Sequence, residues 1–430
     1  MNKFTSLLLV LLIVIPSFAQ TQKGTFAFIN AKIETITSGT INNGTLVIRD
    51  NKIIDLGTNI TLPVGIETLD CKGLSIYPGF IDCGTSVGLV EVGMVDVTND
   101  NNELGDNSAQ MDALTAINPN SEMIPVTRLG GITTVLSVPS GGTFPGLACL
   151  INLHGYTPDQ MSVNQTRLAV MNFPSRGKNG FWDKRSDEDI DKEDKKKFND
   201  LDATINKARL YSHIDSVADN KQKFILEYQP EIKTLADVIN GKYTLMIEVN
   251  KSSDIDSAIN WVKINKFSNV IFTGVSEGWR VADKLSNAKI PCIVGPILSM
   301  PTRETDRYDK GYSNAGILSK AGVKVCIRTN EYANSRNLPF NAGYATAYGM
   351  DKDEALKAIT IHAAQIFGVD KLLGSIEIGK QATFFIANGD PFEPRTLIKS
   401  VFINGYKIPM ESRQTKLYKE FIKRSPGLEN

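Results

Sequence analysis

The chain has 430 residues, 42% apolar and 22% charged, with 47 Lys and Arg against 47 Asp and Glu. That length buries a large core and fits one big domain with a smaller companion. The formal net charge of zero excludes a global field for nucleic acid or an acidic membrane and leaves only a local patch open.

In chain order, Lys3, the apolar run Leu7–Ile15 and the small-residue triplet Ser17-Phe18-Ala19 read as a secretory signal cleaved after Ala19. The run is shorter than the roughly 20 residues of a spanning helix, and no cysteine follows the cleavage point to carry a lipid. The expectation is an exported protein, periplasmic or secreted, with no stable membrane anchor. Five cysteines remain, Cys71, Cys83, Cys149, Cys292 and Cys326, an odd count that leaves at least one thiol unpaired. The last three sit in apolar, strand-like runs and read as buried thiols. No C-x-x-C pair is present, which argues against a zinc–thiolate site.

Thr25–Gly57 alternates apolar and polar residues, with turns at Asn42-Asn43-Gly44 and Asp50-Asn51, and predicts hairpins of a sheet with one buried face. The stretch Tyr77–Val90, YPGFIDCGTSVGLV, then carries an apolar run through Pro78-Gly79 and Phe80-Ile81 into a tip of small polar residues. Beyond it, strand candidates at 131–139, 244–249, 269–274, 289–296 and 323–329 alternate with helical stretches such as Ser253–Ile264 and Trp279–Asn287. That alternation is the signal of parallel β/α architecture. The Asp- and Asn-rich segment Glu91–Ile124 reads as a long loop, and 177–207, densely charged with both signs, as solvated helix and linker. Asp351 with Glu354 three residues on predicts a capped helix start, with Leu356, Ile359, Ala363 and Ile366 on one face and a stop at Gly368. β texture returns in GSIEIGKQATFFIANGD and KSVFINGYKI.

These motifs resemble the amidohydrolase superfamily, in its imidazolonepropionase-like, metal-dependent hydrolase branch. Pro78, Gly79, Phe80, Ile81 and Asp82 match its opening strand motif P-G-[LFI]-I-D-x-H-x-H. Near the other end, Thr360-Ile361-His362-Ala363-Ala364 and the run from Gly374 to Pro394 match its closing helix and strand. The resemblance implies an α/β fold, a distorted (β/α)8 TIM barrel with a small β-sandwich built from both chain ends. Its active site would lie at the C-terminal ends of the barrel strands. The implied division is a signal peptide at 1–19, β-sandwich at 24–77 and 369–412, barrel at 78–368 and a tail at 413–430.

The family holds a catalytic metal with two histidines on the first strand, one each on the fifth and sixth, and an aspartate on the eighth. Here those positions carry Gly84 and Ser86, then Asn250, Thr273 and Asn330. The three histidines of the chain, His154, His213 and His362, form no H-x-H or H-x-x-x-H pair. The expected cofactor is therefore none, with Zn²⁺ or another divalent metal as the alternative. An all-oxygen site from Asp82, Glu91 and Glu248 is chemically conceivable but not favoured by spacing. The small polar replacements predict an open pocket at the former ligand positions. Cys83, beside Asp82, is the weak candidate nucleophile, because a catalytic thiol needs a nearby base and a lowered pKa. Arg280, Arg328 and Glu277 read as structural ion-pair partners.

Two functions remain in view. One is a non-catalytic member of the superfamily, a pseudo-enzyme that binds a small ligand or supports a related, metal-bearing subunit in an oligomer. The other is a hydrolase of amide, dipeptide or cyclic-amide C–N bonds, working through a displaced metal site or Cys83. No nucleic-acid partner is expected.

Overall fold

The computed structural model describes residues 24–178, 183–218 and 227–424. The expected signal segment lies outside them. The N-terminal strands are β1 (Thr25–Glu34), β2 (Thr40–Arg49), β3 (Lys52–Gly57), β4 (Glu67–Asp70) and β5 (Ser75–Pro78). A second series follows: β6 (Phe80–Thr85), β7 (Ile132–Ser137), β8 (Gly146–Asn152), β9 (Ser162–Asn172), β10 (Thr244–Val249), β11 (Val270–Gly274), β12 (Cys292–Val294) and β13 (Val325–Ile327). The chain closes with β14 (Phe384–Ala387), β15 (Ile398–Ile403) and β16 (Tyr406–Ile408).

β6 to β13 form one eight-stranded sheet in chain order. It is nearly a closed barrel, because the amide of Asn330, just past β13, donates to the carbonyl of Gly84 on β6 at 2.9 Å. Within the sheet β8 runs antiparallel to both its neighbours. Connections of eight residues before it (138–145) and nine after it (153–161) leave no room for the dozen or more that a parallel crossover needs. The barrel is therefore less regular than an alternating (β/α)8 pattern.

Alternate residues along the barrel strands face opposite ways. Ile81, Leu136, Met246, Ile271, Ile293 and Cys326 fill the interior. Their neighbours Phe80, Val135, Leu245, Phe272, Cys292 and Val325 belong to a larger core shared with the outer helices. The interior is closed at one end by Ala363, Ala364 and Phe367. These come from the C-terminal helical region, where the single helix expected from Asp351 to Gly368 is two, Lys352–Ala358 and Ile361–Ile366. Thr360 breaks it, its hydroxyl bonding back to the Leu356 carbonyl. The break frees the Ile359 carbonyl to accept the Ile81 amide of β6 at 2.8 Å.

The strands of both chain ends pair into one further sheet, in the order β16-β15-β14-β5-β1-β2-β3, with β4 also against β1. Its core is aromatic: Phe384 stacks on Phe402 at 4.9 Å, and Phe28 meets both edge-on at 5.1 and 5.0 Å. All five cysteines are free and buried.

Candidate functional site

The period of two that builds the barrel interior also builds its mouth. One step of two beyond Met246, Ile271, Ile293 and Cys326 come Glu248, Thr273, Gly295 and Arg328. These residues stand on the apolar floor at the C-terminal ends of β10 to β13. Arg328, only 5% exposed, crosses the mouth. Its Nη1 donates to Glu248 Oε2 at 2.7 Å and to Thr273 Oγ1 at 2.8 Å, and its Nη2 to Glu248 Oε1 at 2.9 Å. Its Nε donates to the Gly295 carbonyl at 3.1 Å. These bonds employ most of the five donors of a guanidinium and form a two-pronged pair with the carboxylate. Burial alone pushes the Glu248 carboxyl up. The Arg328 charge and hydrogen bonds, with one from Asn250 Nδ2, outweigh it and hold the group below the usual range.

The glycines around this pair are where they are for space. A Cβ at Gly84 would come within 3.0 Å of the Arg328 Cδ, so the position matched to the family's first histidine faces the arginine stem. Gly274, at φ +82°, could carry no Cβ without meeting Asn250 Oδ1 at 2.4 Å and Glu248 Oε1 at 2.5 Å.

Of the positions that the resemblance equates with metal ligands, Gly84, Asn250 and Thr273 converge on the Arg328–Glu248 pair. Asn250 bonds Glu248 on one side and accepts from the Ser276 hydroxyl at 2.8 Å on the other. Ser86 and Asn330 stand apart from it. Ser86 gives its carbonyl to the amides of Leu89 and Val90, and Asn330 is exposed with φ +55°. Where an open pocket is expected, the Arg328 side chain stands among Gly84, Glu248 and Thr273. Near it lies a small cavity of about 20 Å³, bordered by Gly274, Trp279, Gly295 and Met300, room for about one water. A far larger depression of about 1210 Å³ lies at the opposite face, where Thr244, Val270 and Lys324 begin or precede their strands.

Asp82 is fully buried below the mouth. It accepts from the amide and hydroxyl of Thr329 and from the Gly84 amide at 3.2 Å, which joins β6 to β13. Burial pushes its carboxyl up to about 7, against the pull of the Thr329 and Gly84 hydrogen bonds and the Arg328 charge. Cys83 points into the apolar interior with Ile81, Leu136 and Cys326. Burial and the neighbouring Cys326 raise its thiol well above the ordinary value, the reverse of an activated nucleophile. No histidine ring meets it: His154 packs on Tyr406 at 4.8 Å, His213 lies in the helix Asp187–Ala218 and His362 in Ile361–Ile366.

Glu277 and Arg280 are ion-paired, as the sequence suggests. Arg303 grips Glu277 at 2.6 Å through both Nε and Nη2, and Arg280 pairs with Asp306. Burial raises the Glu277 carboxyl, but the hydrogen bonds from Arg303, Ser252 and Thr302 bring it down to about 2. The functional feature sequence reasoning missed is the pairing of Arg328 with Glu248. The signal was present in the two-residue step from an apolar floor to a charged residue in both TLMIEV and VKVCIRT.

A metal site fits this donor set poorly. Among the described residues no three His, Cys, Asp or Glu gather closely enough to hold an ion, so Asp82, Glu91 and Glu248 do not combine. Glu248 has both oxygens committed to a cation already present, and a second cation beside the guanidinium would be repelled.

Residues 259–409 match the amidohydrolase family model. An imidazolonepropionase of Pseudomonas fluorescens is 39% identical over 72 residues, 16% of this chain and 18% of that protein. One of Thermoplasma volcanium is 30% identical over 133 residues, 29% of this chain and 33% of that protein. The matched stretches thus span a third or less of these curated relatives. Among solved structures, an amidohydrolase from Thermotoga maritima superposes with a TM-score of 0.78 at 24% identity, over 89% of this chain and 99% of that one. A molinate hydrolase gives 0.56 at 15% identity over 95% and 98%. Likeness at these identities speaks to the fold.

Proposed function

We propose that this protein is a member of the amidohydrolase superfamily, a reading supported by the family match over residues 259–409, and that within it the chain is non-catalytic and works by binding a related subunit rather than by turnover. The observation that carries the reading is the Arg328–Glu248 pair. A guanidinium fills the centre of the mouth, against Gly84 and bonded to Thr273, where the family would hold its metal. The replacement of the five ligand positions by Gly84, Ser86, Asn250, Thr273 and Asn330 is then concerted, with Arg328 supplying the positive charge a metal would bring.

Of the two forms of binding, the Arg328 side chain across the mouth, with most of its donors already bonded, disfavours a small ligand there. The long loop after β6 favours a protein surface, because it leaves Met94, Val97 and Leu104 at least 90% exposed. The sheet of both chain ends, curled around the Phe28–Phe384–Phe402 core, we read as the superfamily's small β-sandwich, and the N-terminal apolar run as an export signal.

Purification from the native host tests this. A histidine-bearing amidohydrolase, identified by mass spectrometry and lost when Met94 and Val97 are changed to Asp, is the expected companion. Recovery of the homomer alone, or turnover of dipeptide or cyclic-amide substrates by the purified chain, would overturn the reading.

A further inference from the structure

The last described element is the helix Arg413–Arg424, RQTKLYKEFIKR. Its start is capped by the buried Ser412, whose hydroxyl accepts from the Thr415 amide while the Thr415 hydroxyl accepts from the Ser412 amide. From there no side chain of the helix is buried. Leu417, Tyr418 and Phe421 are 39%, 65% and 58% exposed. At about 100° per residue these three, with Ile422, fall within an arc of about 140°. Lys416, Lys419 and Lys423 fall on the other side. From Glu411 to Arg424 five bases stand against two acids, in a chain whose net charge is zero. Two of the five are paired, Lys419 with Glu411 and Arg424 with Glu420.

An aromatic apolar face left in solvent and rimmed with cations is the pattern of a helix that lies in a bilayer interface. We propose that Arg413–Arg424 docks the protein on an anionic lipid surface, with Leu417, Tyr418 and Phe421 entering the headgroup layer. Charge decides between occupants. A second copy of the same face would set basic rim against basic rim, whereas acidic headgroups complement it. The helix does not span: no described helix is long and apolar enough to cross a membrane.

The test is co-sedimentation of the full chain with phosphatidylcholine vesicles containing or lacking phosphatidylglycerol. Binding is expected only with phosphatidylglycerol, is lost at raised salt, and falls about tenfold or more in Phe421→Glu and in the double variant Lys416→Glu/Lys423→Glu. The apolar run Leu7–Ile15 is common to all these proteins, so differences between them read the helix alone. Equal binding of wild type and variants would overturn the proposal. So would binding independent of phosphatidylglycerol, or a dimer in gel filtration that Phe421→Glu dissolves without any vesicle binding.

Discussion

Arg328 is the residue on which the mouth depends, and its removal separates structure from charge. In Arg328→Met the Glu248 carboxylate keeps its place without its cation. Breaking a buried pair costs about 3–5 kcal/mol. Glu248 is 26% exposed and reaches some water, so the lower end, about 3 kcal/mol, is the expected loss in a urea titration. Arg328→Met/Glu248→Leu should recover most of it, because replacing both partners removes the stranded charge. Asp82 predicts the opposite dependence on pH from an ordinary paired carboxylate. Its folded pKa of about 7 lies above its unfolded value. The folded state therefore binds the extra proton between those two values. The stability Asp82 contributes is full at low pH and lost as pH rises toward 7. Asp82→Asn should flatten that loss, seen as a smaller difference in denaturation midpoint between pH 4.5 and 7.5 than wild type shows. At this scale sequence identified Arg328 as an ion-pair partner but not its place across the mouth. The partner lies on β10, three strands away in the sheet from β13, and only closure of the barrel brings the two together.

Among the elements, the helix Lys352–Ala358 was legible to its first residue. Asp351 accepts from the amides of Asp353 and Glu354 at 2.9 and 3.1 Å, so Asp351→Ala should cost about 1 kcal/mol by chemical denaturation. Its far end was not legible, because a hydroxyl bonding back at Thr360 and a strand amide waiting for the Ile359 carbonyl are tertiary facts. β10 and β11 fall within a residue of their apolar runs. β9 was missed for a local reason: Asn164 and Gln165 adopt left-handed backbone, at φ 51° and 52°, and interrupt the alternation a strand would show. The antiparallel sense of β8 lies in its short connections, not in GLACLIN, whose unbroken burial suits either direction. In the end sheet, Phe402 is fully buried between Phe26, Phe28 and Phe384. Phe402→Ala should lower stability by about 3–5 kcal/mol in the same titration.

At the scale of the whole molecule, the two chain ends meet because β14 pairs with β5 on one side and β15 on the other. That union was readable from alternating patterns at both ends flanking a β/α middle. The mouth is readable in sequence only as small polar residues where the resemblance expects ligands, and that pattern does not say what stands among them. In the folded chain the Arg328 guanidinium stands there, bonded to the Glu248 carboxylate and the Thr273 hydroxyl. Metal content tests this account most directly. Mass-spectrometric metal analysis of the purified chain, incubated with Zn²⁺ or Mn²⁺ and then dialysed, should find well under one ion per chain, with no change in Arg328→Lys. About one tightly held ion per chain, whose removal by a chelator abolishes amide hydrolysis, would contradict it.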